Sequence, residues 1–195
     1  WWLVDPGTYA YHSDARWRNY FRGSSGHNTI TIDGRNQSTI AGPFMWTQKA
    51  KGRLLHLGEI DGIQQAAGEH DGYQRLGVNH QREIRFDPGK NQLQVIDNLT
   101  SKGENLAEIY LHFAPDINLV QDGDMGYWIA TRSNSSRRLV LKPVRQWTRD
   151  MHSGREAPPL GWYSPSLERK VPTCSLHGAA TLSGKLRSTI SINSR

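Results

Sequence analysis

The chain has 195 residues, 36% of them apolar, and carries 24 Lys and Arg against 18 Asp and Glu, a formal net charge of +6. That length allows one sizeable core, and the single cysteine, Cys174, excludes an intrachain disulfide. No apolar run approaches the roughly 18 residues of a membrane-spanning helix, so no membrane span is expected; the basic excess leaves acidic partners open.

In chain order, the first segment carries the most chemistry. Residues 5–34, DPGTYAYHSDARWRNYFRGSSGHNTITIDG, hold two histidines, three tyrosines, three arginines and three aspartates. The segment ends in HNTITID (27–33), whose alternation predicts a strand with Asn28, Ile30 and Ile32 on one face and His27, Thr29, Thr31 and Asp33 on the other. Further period-2 runs predict strands at 53–60, 81–86, 92–97, 107–113, 127–131, 138–141 and 186–192. Turn residues separate many of them: Asp33-Gly34, Asp61-Gly62, Asp87-Pro88-Gly89, Lys102-Gly103 and Asp122-Gly123. Residues 150–164 (DMHSGREAPPLGWYS) read as a long surface loop. Helical periodicity is not evident, and βαβ alternation is absent. Many short strands with this punctuation predict an all-β fold, a large antiparallel β-sandwich, in one domain spanning 1–195. The opening WWLVDPGTY has no initiator Met and strand-like character from its first residue, so the chain reads as a piece of a longer protein.

Two kinds of chemistry are open to the first segment. Asp5 and His27 pair a carboxylate with an imidazole, a donor set that suits zinc, but two ligands do not close a tetrahedral shell. The competing reading is a satisfied polar histidine at a strand end. Tyr9, Tyr11 and Tyr20 share the segment with Arg16, Arg18 and Arg22. Nearby cations favour a phenolate, and a tyrosine so placed serves as proton acceptor or donor; the alternative is three core tyrosines with satisfied hydroxyls. His56, His80 and His112 fall in or beside strand runs and read as structural, whereas His70, His152 and His177 read as loop residues. Gly23-Ser24-Ser25-Gly26 lacks the Lys-Ser/Thr of a phosphate loop, and no nucleophile elbow or dinucleotide fingerprint is present. No dense basic stripe or nucleic-acid module appears, so nucleic acid is not the expected partner.

LVDPGTYAY, NYFRGSSGHNTITIDGRNQ and GPFMW, followed in order by YQRLGVNHQREIRFD, LQVIDNL, AEIYLHFAPD and GWYSPSLERKVP, resemble the C-terminal domain of the heparinase II/III-like polysaccharide lyases. The resemblance implies a β-sandwich that partners an N-terminal helical toroid of the same protein. It implies β-elimination cleavage of uronate-containing anionic polysaccharides, a glycosaminoglycan or alginate among them, in the bacterial periplasm or outside the cell. It places metal ligands at Asp5 and His27, for a structural divalent cation, zinc, whose third ligand would precede Trp1. It matches the family's tyrosine near the scissile bond to Tyr11, with Tyr9 and Tyr20 as competitors, and leaves Arg16, Arg18 and Arg22 to meet an anionic sugar. By this reading the toroid-less piece is inactive alone. The alternative is a non-catalytic carbohydrate-binding or scaffolding sandwich.

Overall fold

A computed structural model describes residues 1–123, 126–142 and 147–194. In chain order its elements are helix α1 (Ala15–Arg22) and strands β1 (Ile30–Ile32), β2 (Thr39–Ile40), β3 (Trp46–Gln48), β4 (Gly52–Ile60), β5 (Ile63–His70), β6 (Val78–Asp87) and β7 (Gln92–His112). Strands β8 (Ile117–Gln121), β9 (Trp128–Arg132), β10 (Arg138–Lys142), β11 (Thr148–Ser153), β12 (Trp162–Ser166), β13 (Arg169–Pro172) and β14 (Cys174–Ser194) follow. The fold is an antiparallel β-sandwich, as the alternation predicts. Its residues group into two compact units, the first formed by 1–49, 106–117 and 147–181, the second by the described parts of 50–105, 118–146 and 182–195.

In the first unit β1 pairs with the end of β7, Ile30 opposite Ile109 and Ile32 opposite Ala107. The start of β14 pairs with β11, Asp150 opposite His177 and His152 opposite Ser175. The apolar cluster of Trp17, Tyr20, Phe21, Tyr110 and Leu160 is closed by Tyr9 and Trp162. In the second unit β4, β5, β6 and the first part of β7 form an antiparallel meander. The β4–β5 turn sets Asp61 at φ +51° and Gly62 at φ +76°, the primed geometry whose twist matches a two-residue hairpin and which Asp-Gly tolerates.

Four expectations need correction. Residues 15–22 are helical: the Asp14 carboxylate accepts from the Trp17 amide at 3.1 Å, and Trp17, Tyr20 and Phe21 line one buried face. Lys102-Gly103 makes no turn, and 92–97 and 107–112 belong to one strand, which ends one residue before Phe113; the Lys102 amide donates to Gly77 O at 3.2 Å, which keeps the backbone in line. The strand at 27–33 shrinks to Ile30–Ile32, because the His27 amide still closes the preceding turn onto Ser24 O at 3.1 Å and Asp33 takes φ +51°; all three residues are buried, the Thr31 hydroxyl being satisfied by Glu108 Oε2 at 3.2 Å. Residues 150–164 are no plain surface loop: they contain most of β11 and the start of β12, and Leu160 is buried in the aromatic cluster.

Candidate functional site

The sequence DPG opens the site with a tight bend. Gly7 takes φ +83° and lies against Ser164, where any Cβ would collide with the Ser164 carbonyl. The Gly7 amide donates to Asp5 Oδ1 at 3.1 Å, and the Ser164 amide to Pro6 O at 2.7 Å. This turns the other carboxylate oxygen of Asp5 toward His27, and Oδ2 lies 2.8 Å from His27 Nδ1. Asn28 then knits the segment to β7: its Oδ1 accepts from the His112 amide at 2.7 Å and its Nδ2 donates to Val4 O at 2.9 Å. Downstream, Asn36 Oδ1 accepts from the Ser24 amide and Ser24 Oγ from the Gln37 amide, which locks the glycine-rich approach to His27.

Asp5 and His27 are therefore brought together, and their donors are of the zinc-binding kind. His112 cannot complete a shell with them, because its Nδ1 is held by the Ser175 hydroxyl at 2.7 Å and its Nε2 donates to Ser25 O at 3.0 Å. Among the described residues no third His, Cys, Asp or Glu joins the pair within ligand reach. A zinc shell on Asp5 and His27 is thus incomplete within these residues.

The three tyrosines have separate fates. Tyr20 is buried; its hydroxyl accepts from the Trp162 amide, and burial pushes its pKa up to about 12. Tyr9 packs against Trp17 and Phe21. Tyr11 alone of the three is exposed, at 46%. Its ring stacks on Phe44 at 5.9 Å between centroids, and the Arg18 guanidinium lies 5.2 Å over it. Tyr11, His12, Arg18 and Asn19 line a groove of about 280 Å³ with Ile40 and Gly42.

The arginines also divide. Arg18 Nε donates to Pro43 O at 3.0 Å, which steadies the guanidinium beside the groove. Arg22 is a brace: it donates to Gly42 O and Pro43 O and lies 4.1 Å over the Trp46 ring, so it fixes the loop that forms the groove's far lip. Arg16 is exposed and paired with Glu156 at 3.2 Å. His12 and Asn19 were not singled out for the groove from sequence; helical spacing from Asp14 would have placed Ala15, Arg18 and Asn19 on one face.

Other histidines differ from their expected places. His70, His152 and His177 lie in β5, β11 and β14 rather than in loops. In the second unit His70 Nδ1 accepts from the Gly72 amide at 3.2 Å, so its Nε2–H donates to His80 Nδ1 at 3.0 Å, and His80 Nε2–H to Asp97 at 2.7 Å. Burial, then the neighbouring His80, pushes the His70 pKa down to about 4. Arg82 makes a second tie to buried Asp97. Every member of this chain is satisfied, as buried polar groups must be. No helix of the described residues is long and apolar enough to cross a membrane.

The family model described as heparinase II/III-like, C-terminal, matches residues 1–194. Among solved structures, a heparinase III superposes with a TM-score of 0.79 at 19% identity, over 99% of this chain and 28% of that one. The heparan sulfate lyase HepC from Pedobacter heparinus gives 0.78 at 16%, over 99% and 28%. A second heparinase III gives 0.78 at 14%, over 100% and 28%. The chain thus spans little more than a quarter of the solved proteins it matches. A comparison with curated proteins finds no match.

Proposed function

Because this chain belongs to the heparinase II/III-like C-terminal family, we propose that it is the sandwich part of a lyase that cleaves uronate-containing anionic polysaccharides by β-elimination. On this reading it works against an N-terminal helical toroid of the same protein, outside the cytoplasm, where such polymers are met. The observation that carries the reading is Tyr11: an exposed phenol on a groove, with the Arg18 guanidinium over its ring.

The chemistry needs those groups. The C5 proton of a uronate is weakly acidic while the neighbouring carboxylate is charged. Arg18 and the Asn19 amide supply positive charge and a hydrogen-bond donor to that carboxylate, which stabilises the enolate-like state. Tyr11, acting as phenolate, takes the C5 proton, the C5–H electron pair forms the C4–C5 double bond, the C4–O bond breaks, and Tyr11 passes the proton to the leaving oxygen, which regenerates the phenolate. Arg16 meets the anionic chain at the surface, and Arg22 acts one step back by holding the groove's lip. A structural zinc on Asp5 and His27 would fix the segment that presents Tyr11; it needs a donor from outside the described residues, and no proton transfer is assigned to it.

The test uses the longer protein with its toroid, a panel of uronate polysaccharides, and the ultraviolet absorbance of the unsaturated product. Tyr11→Phe should lower turnover about 100- to 10,000-fold while glycan binding persists. Glycan binding with no unsaturated product from the unaltered protein would favour the non-catalytic sandwich instead.

A further inference from the structure

A second group of ligands lies on the paired strands β11 and β14. Asp150 and His152 sit two residues apart on β11, hence on one face of it, and His177 of β14 is directly opposite Asp150. One ligand atom from each of the three lies within 4.8 Å of the other two. They are the sole trio of His, Cys, Asp and Glu so arranged among the described residues. Neither strand belongs to the Asp5–His27 segment.

The hydrogen bonds around His177 are arranged as a metal-bound imidazole would need them. His177 Nε2–H donates to Glu108 Oε1 at 3.0 Å, which orients the ring and leaves Nδ1 with its lone pair. Glu108 is itself held, by the Tyr110 hydroxyl at 3.2 Å and the Thr31 hydroxyl at 3.2 Å. A carboxylate that receives the far N–H of a histidine is the usual outer partner of a metal-bound imidazole; it fixes the tautomer and raises the ring's basicity. The Tyr110 ring stacks on His177 at 4.9 Å and removes one more freedom. Meanwhile His152 Nε2 is buried and has no hydrogen-bond partner. The His152 ring lies 5.9 Å from the His177 ring between centroids and belongs to the same trio as Asp150; an orphaned buried nitrogen on it calls for an explanation, and a cation would supply one.

We propose that Asp150, His152 and His177 form a divalent-cation site, with Asp150 Oδ, His152 Nε2 and His177 Nδ1 as ligands and Glu108 as the outer carboxylate. Two imidazoles and one carboxylate suit zinc, with a fourth position left to water or a substrate oxygen. Arg155 opposes it. Its NH1 lies 3.4 Å from His152 Nδ1, and ligation through Nε2 puts the ring proton on that same Nδ1. The guanidinium must then release His152 and keep its other tie, to Pro158 O at 3.0 Å.

Zinc binding to the whole chain, measured by isothermal titration and by zinc content after dialysis, tests the site. A His27→Ala background removes the other pair from the count. In that background one zinc per chain is expected; Asp150→Asn and His152→Gln should each abolish it. Glu108→Gln should weaken it roughly 10- to 100-fold, and Arg155→Gln should strengthen it. Unchanged zinc affinity and stoichiometry in Asp150→Asn and His152→Gln would overturn the proposal, as would a background protein that takes up no zinc. Should a variant fail to fold, zinc titration of the unaltered chain followed by NMR decides: the His152 and His177 ring resonances must move together, and static resonances overturn the site.

Discussion

His112 shows how a single buried side chain ties stability to pH. Burial, the largest cause, pushes its pKa down from its ordinary 6.5 to about 4, although the Ser25 carbonyl pulls the other way. The folded imidazole therefore stays neutral at pH values where the unfolded one has already taken a proton. Between about 6.5 and 4 the unfolded state binds more protons, so stability falls as pH falls through that window and is flat above it. The full effect is about 3 kcal/mol. His70, lowered for the same reason, adds to the same window. The urea midpoint should drop between pH 7 and pH 4, and His112→Gln should lessen the drop; equal slopes for both proteins would show that His112 is not its source. At this same scale Tyr11 differs from Tyr9 and Tyr20 only in what surrounds it. The residue pattern by itself does not rank three tyrosines of one segment, and only the family resemblance favours Tyr11; the physical ranking is made by burial against Trp17, Phe21 and Trp162.

Among the elements, α1 decides where the groove stands. It presents Arg18 and Asn19 outward and buries Trp17, Tyr20 and Phe21. Its start rests on one carboxylate, so Asp14→Ala should cost about 1 kcal/mol in chemical denaturation. Trp17→Ala, which empties a core position, should cost about 3–5 kcal/mol. If the cap variant matched the tryptophan variant in cost, Asp14 would be doing more than ending a helix. The strands were legible because a half-buried strand writes its period directly into the chain, as at 186–192 and 127–131, where buried and part-exposed residues alternate. The helix was not, because its apolar positions are interleaved with Arg16, Arg18, Asn19 and Arg22 over eight residues, barely two turns. Lys102-Gly103 misled for the converse reason: neighbouring backbone at Gly77 overrode a local turn preference. The Asp5–His27 pair was legible through its resemblance. The trio on β11 and β14 was hidden because register, not spacing, brings His177 opposite Asp150.

For the whole molecule, the net charge of +6 suits an anionic polymer as partner, and it also bears on how copies of the chain meet one another. Strand β4 ends its sheet, and all nine of its residues are exposed, Leu54, Leu57 and Ile60 among them. A shift of register between Leu54 and His56 and the charge on Arg53 interrupt this rim without hiding it. An open row of amides beside leucines is a template for another chain's backbone. In concentrated solution the like charges of two copies oppose that docking at low salt and fail to do so once salt screens them. Turbidity on adding salt is thus the behaviour this strand foretells, and a lysine in place of Leu57 is the remedy.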